Sequence, residues 1–245
     1  MRNIKMILEY DGTRFKGWQK QTDDINTLQG KLEDVLSKMV GEEVQIIGCG
    51  RTDSGVHALN YTANFHTENK MHVNEMSKYL YDNLPDDIAV KSIKDASERF
   101  HSRYNILSKT YVYRINNSGI KNVFDRKYIH NIGEKLNLDD MKSCVAVLIG
   151  NHDFQSFTTL KTKTKSTMRT INFINIMENG SIIEIEINGN GFLWNMVRII
   201  LGTLIEAGKG NIKITDVENI LNAKKRSEAG PMAPAKALFL KDVEY

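Results

Sequence analysis

The sequence predicts an α+β protein made of two ferredoxin-like (RRM-like) βαββαβ halves, their antiparallel sheets side by side around a central cleft. Three observations carry that expectation. Runs with period-two apolar alternation, the mark of a half-buried strand, and runs with apolar residues three and four apart, the mark of a helix, succeed one another as β-α-β-β-α-β in the first half. The same order returns in the second half with one helix added. Finally, 245 residues of which 41% are hydrophobic suffice for one large domain or two halves with cores. The halves fall at residues 1–104 and 105–245. They share a pattern and not residue identity, and ligands are expected where two such halves meet.

Residues 3–10 alternate, with Ile4, Met6, Leu8 and Tyr10 on one face, until Asp11-Gly12 breaks the strand. Leu28, Leu32, Val35, Leu36 and Met39 recur at helical spacing from Thr27 up to Gly41, a helix stop. Strands are expected at 44–48 and 60–66, a helix at 73–84 ended by Pro85, and an extended stretch from Ile88. In the second half a strand at 108–115 precedes a helix at 139–148. Strands at 170–177 and 181–188 flank Asn179-Gly180, a strong hairpin-turn signal. A long helix over 192–207, striped by Phe192, Met196, Ile199, Ile200 and Leu204, then a shorter one over 215–222 and a closing strand over 238–243 complete the order.

The 33 Lys and Arg against 30 Asp and Glu, a net charge of +3, permit a polyanionic partner without demanding one. Cys49 and Cys144 lie far apart and outside any CxxC spacing, so neither a disulfide nor a metal site is expected. No run of about 18 apolar residues occurs, and Arg2, Asn3, Lys5 and Glu9 interrupt the apolar N-terminus. Neither a membrane span nor a signal segment is expected, and the reading is a cytoplasmic protein. Gly189-Asn190-Gly191 follows a hairpin and does not open a βαβ unit, so no nucleotide cofactor is expected. His152 and Asp153 have no serine placed to complete a catalytic triad.

The segment around which the chain is organised is GRTDSGVHA, residues 50–58, which sets the carboxylate of Asp53 near the guanidinium of Arg51 in a loop between two strands. Gly50 and Gly55 allow positive φ, and Thr52 and Ser54 can hold the turn. An Asp in such a loop is more often a turn-former than a reactive group. In YDGTRFKGWQKQ, residues 10–21, Phe15 and Trp18 stand among Arg14, Lys16 and Lys20; rings among cations suit RNA, while a ring plugging a core edge is equally compatible with the pattern. RFHSRYNILSKTYVYRI, residues 99–115, brings Arg103, Lys109 and Arg114 beside Tyr111 and Tyr113, which alternation places on one face with Ile115. Lys161, Lys163, Lys165 and Arg169 form a basic loop without an acidic interruption, either a solvated loop or a contact to RNA backbone. Arg198 lies in an apolar helix and needs a partner or a route to the surface.

These segments, with FLWNMVR at 192–198 and GPMAPAKAL at 230–238, resemble in order the motifs of the tRNA pseudouridine synthase A family over nearly the whole chain. Ser102, Lys109, Met232 and Ala237 stand where the family pattern has Ala, Arg, Thr and Gly. The resemblance implies isomerisation of uridine to pseudouridine in the tRNA anticodon stem-loop, at positions 38, 39 and 40, without a cofactor, by a cytoplasmic homodimer. It implies catalytic roles for Asp53 as nucleophile, at C1′ or through a glycal route, for Tyr111 stacked on uracil, and for Arg198 paired with Asp53 across the cleft. Arg51, Tyr111, Leu238, Arg103, Phe15, Trp18, Lys161, Lys163 and Arg169 are the implied substrate contacts.

Two other classes remain open on the residues alone. A non-catalytic RNA-binding protein would use the same basic and aromatic residues, but a carboxylate in a phosphate-facing loop repels RNA unless it reacts. A glycoside hydrolase generally needs a second catalytic carboxylate, and no motif marks one. A pseudouridine synthase acting on another RNA is the nearest alternative.

Overall fold

A computed structural model describes residues 1–21, 26–160 and 166–245, which pack as two compact units: Met1–Leu107 with Phe239–Tyr245, and Ser108–Leu238. In the first, β1 (Arg2–Tyr10) buries Ile4, Met6, Leu8 and Tyr10 as its alternation requires. Helix α1 (Leu28–Val40) begins where Thr27 accepts the Gly30 N–H on its hydroxyl and ends at Gly41, left-handed at φ 75. Next come β2 (Ile47–Gly48), β3 (His57–Thr67), α2 (Val73–Asn83) and β4 (Ile88–Ala96). The strands line up β4-β1-β3 with β2 on the other side of β3, all antiparallel, the 4-1-3-2 arrangement of a ferredoxin-like unit.

The strand expected over 44–48 shortens to Ile47–Gly48 because helix α1 takes the earlier donors. The N–H of Val44 goes to Ser37 Oγ at 2.9 Å and that of Ile46 to Glu33 Oε1 at 3.2 Å. β3 is buried on both faces, and the polar side chains there are satisfied internally. Asn64 Oδ1 accepts from Ser102 N at 2.9 Å and Ser102 Oγ at 2.7 Å, while Asn64 Nδ2 donates to Asn3 Oδ1 at 2.9 Å. The serine at position 102 thus turns its hydroxyl into this network and is fully buried.

The second unit opens with β5 (Ser108–Asn116), followed by β6 (His130–Asn131), α3 (Leu138–Leu148), β7 (Gly150–Asp153), β8 (Met168–Asn179), β9 (Ile182–Gly189), α4 (Met196–Gly208) and α5 (Ile214–Ala223). Its strands run β5-β9-β8-β7, antiparallel, with β6 parallel to β5. Gly180 turns the β8–β9 hairpin at φ 60, and Ile183, Ile185 and Ile187 of β9 enter the core. Helix α4 starts four residues later than its stripe suggested, because Asn195 is left-handed at φ 62 and Phe192 precedes the helix. Strand β7 went unread: GNHD is too short and polar to alternate visibly. The last strand, β10 (Leu238–Glu244), follows the second unit's helices in sequence, yet Phe239 and Leu240 pair in parallel with His57 and Ala58 of β3. Among the described residues no helix is long and apolar enough to cross a membrane.

One buried pair in the second unit gives a pH signature. Tyr113, fully buried on β5, places its hydroxyl 3.1 Å from His130 Nδ1 and 3.2 Å from the Pro234 carbonyl. Burial, then the nearby Lys236 and Lys209 ammoniums, push the His130 pKa below its ordinary value. A depressed histidine pKa stabilises the fold above the unfolded value of about 6.5, and that contribution is lost as pH falls through the folded value. We expect the unfolding free energy of the wild type to exceed that of His130→Asn by more at pH 7.5 than at pH 5; urea melts at both pH values check this, and a gap that widens on acidification refutes it.

Candidate active site

The Asp53 loop is held through the carbonyls of Gly50, Thr52 and Asp53 and through the side chains of Thr52 and Ser54. Thr52 O accepts from Trp18 N at 3.1 Å, Asp53 O from Val56 N at 3.1 Å, and Ser54 Oγ donates to Phe15 O at 3.1 Å. Tyr10 and Thr52 share a hydroxyl bond at 2.9 Å, and Tyr61 OH donates to Gly50 O. Gly12 N donates to His57 Nδ1 at 3.0 Å. Two glycines make this close docking possible. A Cβ on Gly12 would overlap Val56 O, and one on Gly17, which is left-handed at φ 90, would lie 2.7 Å from Thr52 O. Within the loop Gly55, and not Gly50, takes the left-handed backbone. Asp53 is thereby fixed, half-buried, in a loop whose neighbour Arg51 is exposed.

Phe15 and Trp18 are 4% and 3% exposed, and Trp18 stacks on Tyr61 with centroids 4.0 Å apart. Both rings are therefore buried and present no free face to a nucleobase. Arg51 Nε donates to Gln19 Oε1 at 3.0 Å. Arg103 is exposed on the segment that Ser102 anchors, and beside it Tyr104 stacks on His101 with centroids 4.1 Å apart while remaining 80% exposed.

In the second unit Tyr111 is half-buried on β5 and meets the ring edge of Phe192 at 5.4 Å and 87°. Gly189 leaves room for that ring: a Cβ there would stand 3.2 Å from Phe192 Cζ. Arg198, half-buried on the first turn of α4, donates from Nε to Ala233 O at 2.8 Å, and Ala233 N donates back to Arg198 O at 2.9 Å. The guanidinium is thus oriented by the Ala233-Pro234 segment, which Tyr113 OH also bonds. Burial holds the Tyr113 phenol well above its ordinary pKa, partly offset by Arg198, so it stays a neutral donor. Leu238 is buried at the start of β10. Ala237 is buried too and needs no glycine conformation, since among the described residues only Asn195 and Lys224 are non-glycines with positive φ.

Arg169 is half-buried, its NH1 donating to Ser166 O at 3.1 Å and Met168 O at 2.6 Å, and burial lowers its pKa. Lys161 and Lys163 lie outside the described residues. Four positions before Arg198, Trp194 is 60% exposed on a backbone fixed by Thr158, whose hydroxyl donates to Trp194 O at 2.8 Å. Sequence reasoning overlooked Trp194, Tyr104 and the polar residues Gln29 and Glu33 behind Arg51. For the last pair the i,i+4 spacing on α1 was the available signal.

In the first unit a docked loop carries a half-buried carboxylate two residues from an exposed arginine, an arrangement compatible with an enzyme acting on nucleic acid. The family profile described as tRNA pseudouridine synthase matches residues 6–105 and 145–245. The chain is 62% identical over the full length of both proteins to "tRNA pseudouridine synthase A 1" of Clostridium tetani, and 45% identical, again over both full lengths, to "tRNA pseudouridine synthase A 2" of Bacillus cereus. Among solved structures, "Crystal structure of the archaeal box H/ACA sRNP Nop10-Cbf5 complex" matches 93% of this chain and 60% of that one, with 10% identity and a TM-score of 0.38. The chain belongs to the tRNA pseudouridine synthase family, whose members are isomerases.

Proposed function

We propose that this protein isomerises uridine to pseudouridine in the tRNA anticodon stem-loop, at positions 38, 39 and 40, with Asp53 as the nucleophile. The observation that carries the reading is the Asp53 loop: a half-buried carboxylate on a backbone docked through Gly12 and Gly17, beside an exposed arginine. Such rigidity suits a group that must meet one ribose carbon. In the reaction the N1–C1′ bond breaks, the uracil turns while retained, and a C5–C1′ bond forms. C5 then loses its proton and N1 gains one, so atoms and electrons balance without an oxidant. Attack of Asp53 at C1′ and a glycal route both begin with its carboxylate against the ribose.

Tyr111, its ring braced by Phe192, stacks on the flipped uracil and assists removal of the C5 proton. Arg198 pairs with Asp53. Arg51, Arg103, Lys161, Lys163 and Arg169 meet phosphates, and Leu238 packs near the target base. Trp194 and Tyr104, whose rings are exposed, offer bases the stacking faces that the buried Phe15 and Trp18 do not. The protein works in the cytoplasm as a homodimer. Tritium release from tRNA labelled at uracil C5, followed by mapping of the product, tests the reading. Release with pseudouridine at 38, 39 and 40 supports it. Release with pseudouridine elsewhere moves the substrate to another site or RNA, and binding without release reduces the protein to an RNA-binding module.

A further inference from the structure

We propose that Glu33, a buried carboxylate on α1, is a positioning residue for Arg51, acting through a directional hydrogen-bond relay across Gln29 and Gln19. The proposal rests on the reading that Arg51 contacts the substrate RNA. Arg51 Nε donates to Gln19 Oε1 at 3.0 Å, Gln19 Nε2 to Gln29 Oε1 at 2.7 Å, and Gln29 Nε2 to Glu33 Oε1 at 2.9 Å. A guanidinium only donates and a carboxylate only accepts, so the two ends impose one orientation on both amides between them. Backbone donors impose the same orientation: Lys20 N reaches Gln29 Oε1 at 3.0 Å and Ile46 N reaches Glu33 Oε1 at 3.2 Å.

Glu33 is built into this position. Its side chain is 8% exposed, and its second oxygen accepts from Lys20 Nζ at 3.1 Å. The relay engages Arg51 at Nε and leaves the terminal NH2 groups outside it, the fork that meets a phosphate in two bonds. Replacing Glu33 by Gln keeps the volume but removes the acceptor-only end. The new amide either keeps its oxygen on Gln29 Nε2 and Ile46 N and sets its NH2 against the Lys20 ammonium, or flips and sets its NH2 against Gln29 Nε2, donor against donor in both cases, so the end of the relay is no longer held. Arg51 loses its tether although it lies in another segment of the chain.

A double-mutant cycle on the full-length protein tests this, read as kcat/KM for tritium release from C5-labelled tRNA at fixed salt. Glu33→Gln is expected to lower kcat/KM about tenfold in the wild type and by less than roughly twofold in an Arg51→Ala background. Gln19→Met cuts the relay without touching the buried carboxylate, so it reports even if Glu33→Gln fails to fold, and it is expected to show the same pair of values. Losses that multiply independently of Arg51→Ala would make Glu33 a purely structural residue and overturn the proposal. So would a neutral Gln19→Met beside a damaging Arg51→Ala. A neutral Arg51→Ala would overturn the role of Arg51 itself, and the proposal with it.

Discussion

Asp53→Asn is expected to lower the rate of C5 tritium release on the order of 10⁴-fold or more while leaving the fold and tRNA binding in place. The loss follows from chemistry: an amide of the same shape carries no charge and does not attack a ribose carbon. Retention of the fold follows from the near-identical size and shape of the amide and from loop contacts that the substitution leaves unchanged. Trp18, Val56, Phe15, Tyr10 and Tyr61 hold the loop through main-chain atoms or through the side chains of Thr52 and Ser54. Where the proposed surface meets phosphates, removing a negative charge is expected to leave affinity equal or slightly higher. Single-turnover release, with a binding isotherm at the same salt, measures both quantities. Residual release within about tenfold of wild type would take the nucleophile's role away from Asp53. A parallel loss of binding would instead make it a residue that shapes the loop.

Gly202→Ala is expected to destabilise the protein by about 3 kcal/mol net, against the roughly 1 kcal/mol that alanine usually gains over glycine inside a helix. Gly202 lies within α4, and a Cβ there would overlap Pro231 O, lie 2.8 Å from its carbonyl carbon and 3.4 Å from Ala233 N. Gly230 is tight as well, though less so, since its Cβ would be 2.7 Å from Thr203 Cα. The segment after α5 therefore runs along α4 at backbone distance. Only this approach lets Ala233 N reach Arg198 O and lets Arg198 Nε reach Ala233 O. Alanine forces the segment outward and breaks both bonds, so Arg198 loses its orientation along with the fold's loss of stability. For a chain of this size the Tm should fall by roughly 6–12 °C. A variant as stable as wild type would show that the segment is free to move off the helix.

Much of the fold was legible because its signals are local. Ile4, Met6, Leu8 and Tyr10 alternate and are buried; Thr27 and Gly41 cap α1; Gly180 turns a hairpin. Each is set by residues within a few positions, where backbone preference and apolar spacing act. The Asp53 loop was legible for the same reason, since glycines and short polar residues specify a turn whatever surrounds it. What failed to show were properties decided by distant partners. Trp18 looked like a ring for RNA until Tyr61, 43 positions away by sequence number, stacked on it. Helix α4 was extended back to Phe192 because its stripe fits, but the left-handed Asn195 interrupts the backbone there.

By itself the sequence determined the order of strands and helices, the turn that carries Asp53, and the resemblance that placed it in its family. Only the tertiary structure decided that Glu33 is a buried end of a relay to Arg51, that Gly202 faces the backbone of Pro231, and that β10 pairs with β3 of the first unit. The physical reason is range. Periodicity and capping are read along a few residues of one segment, whereas burial, hydrogen-bond direction and strand pairing depend on which remote segment arrives alongside, and apolar spacing does not encode that partner.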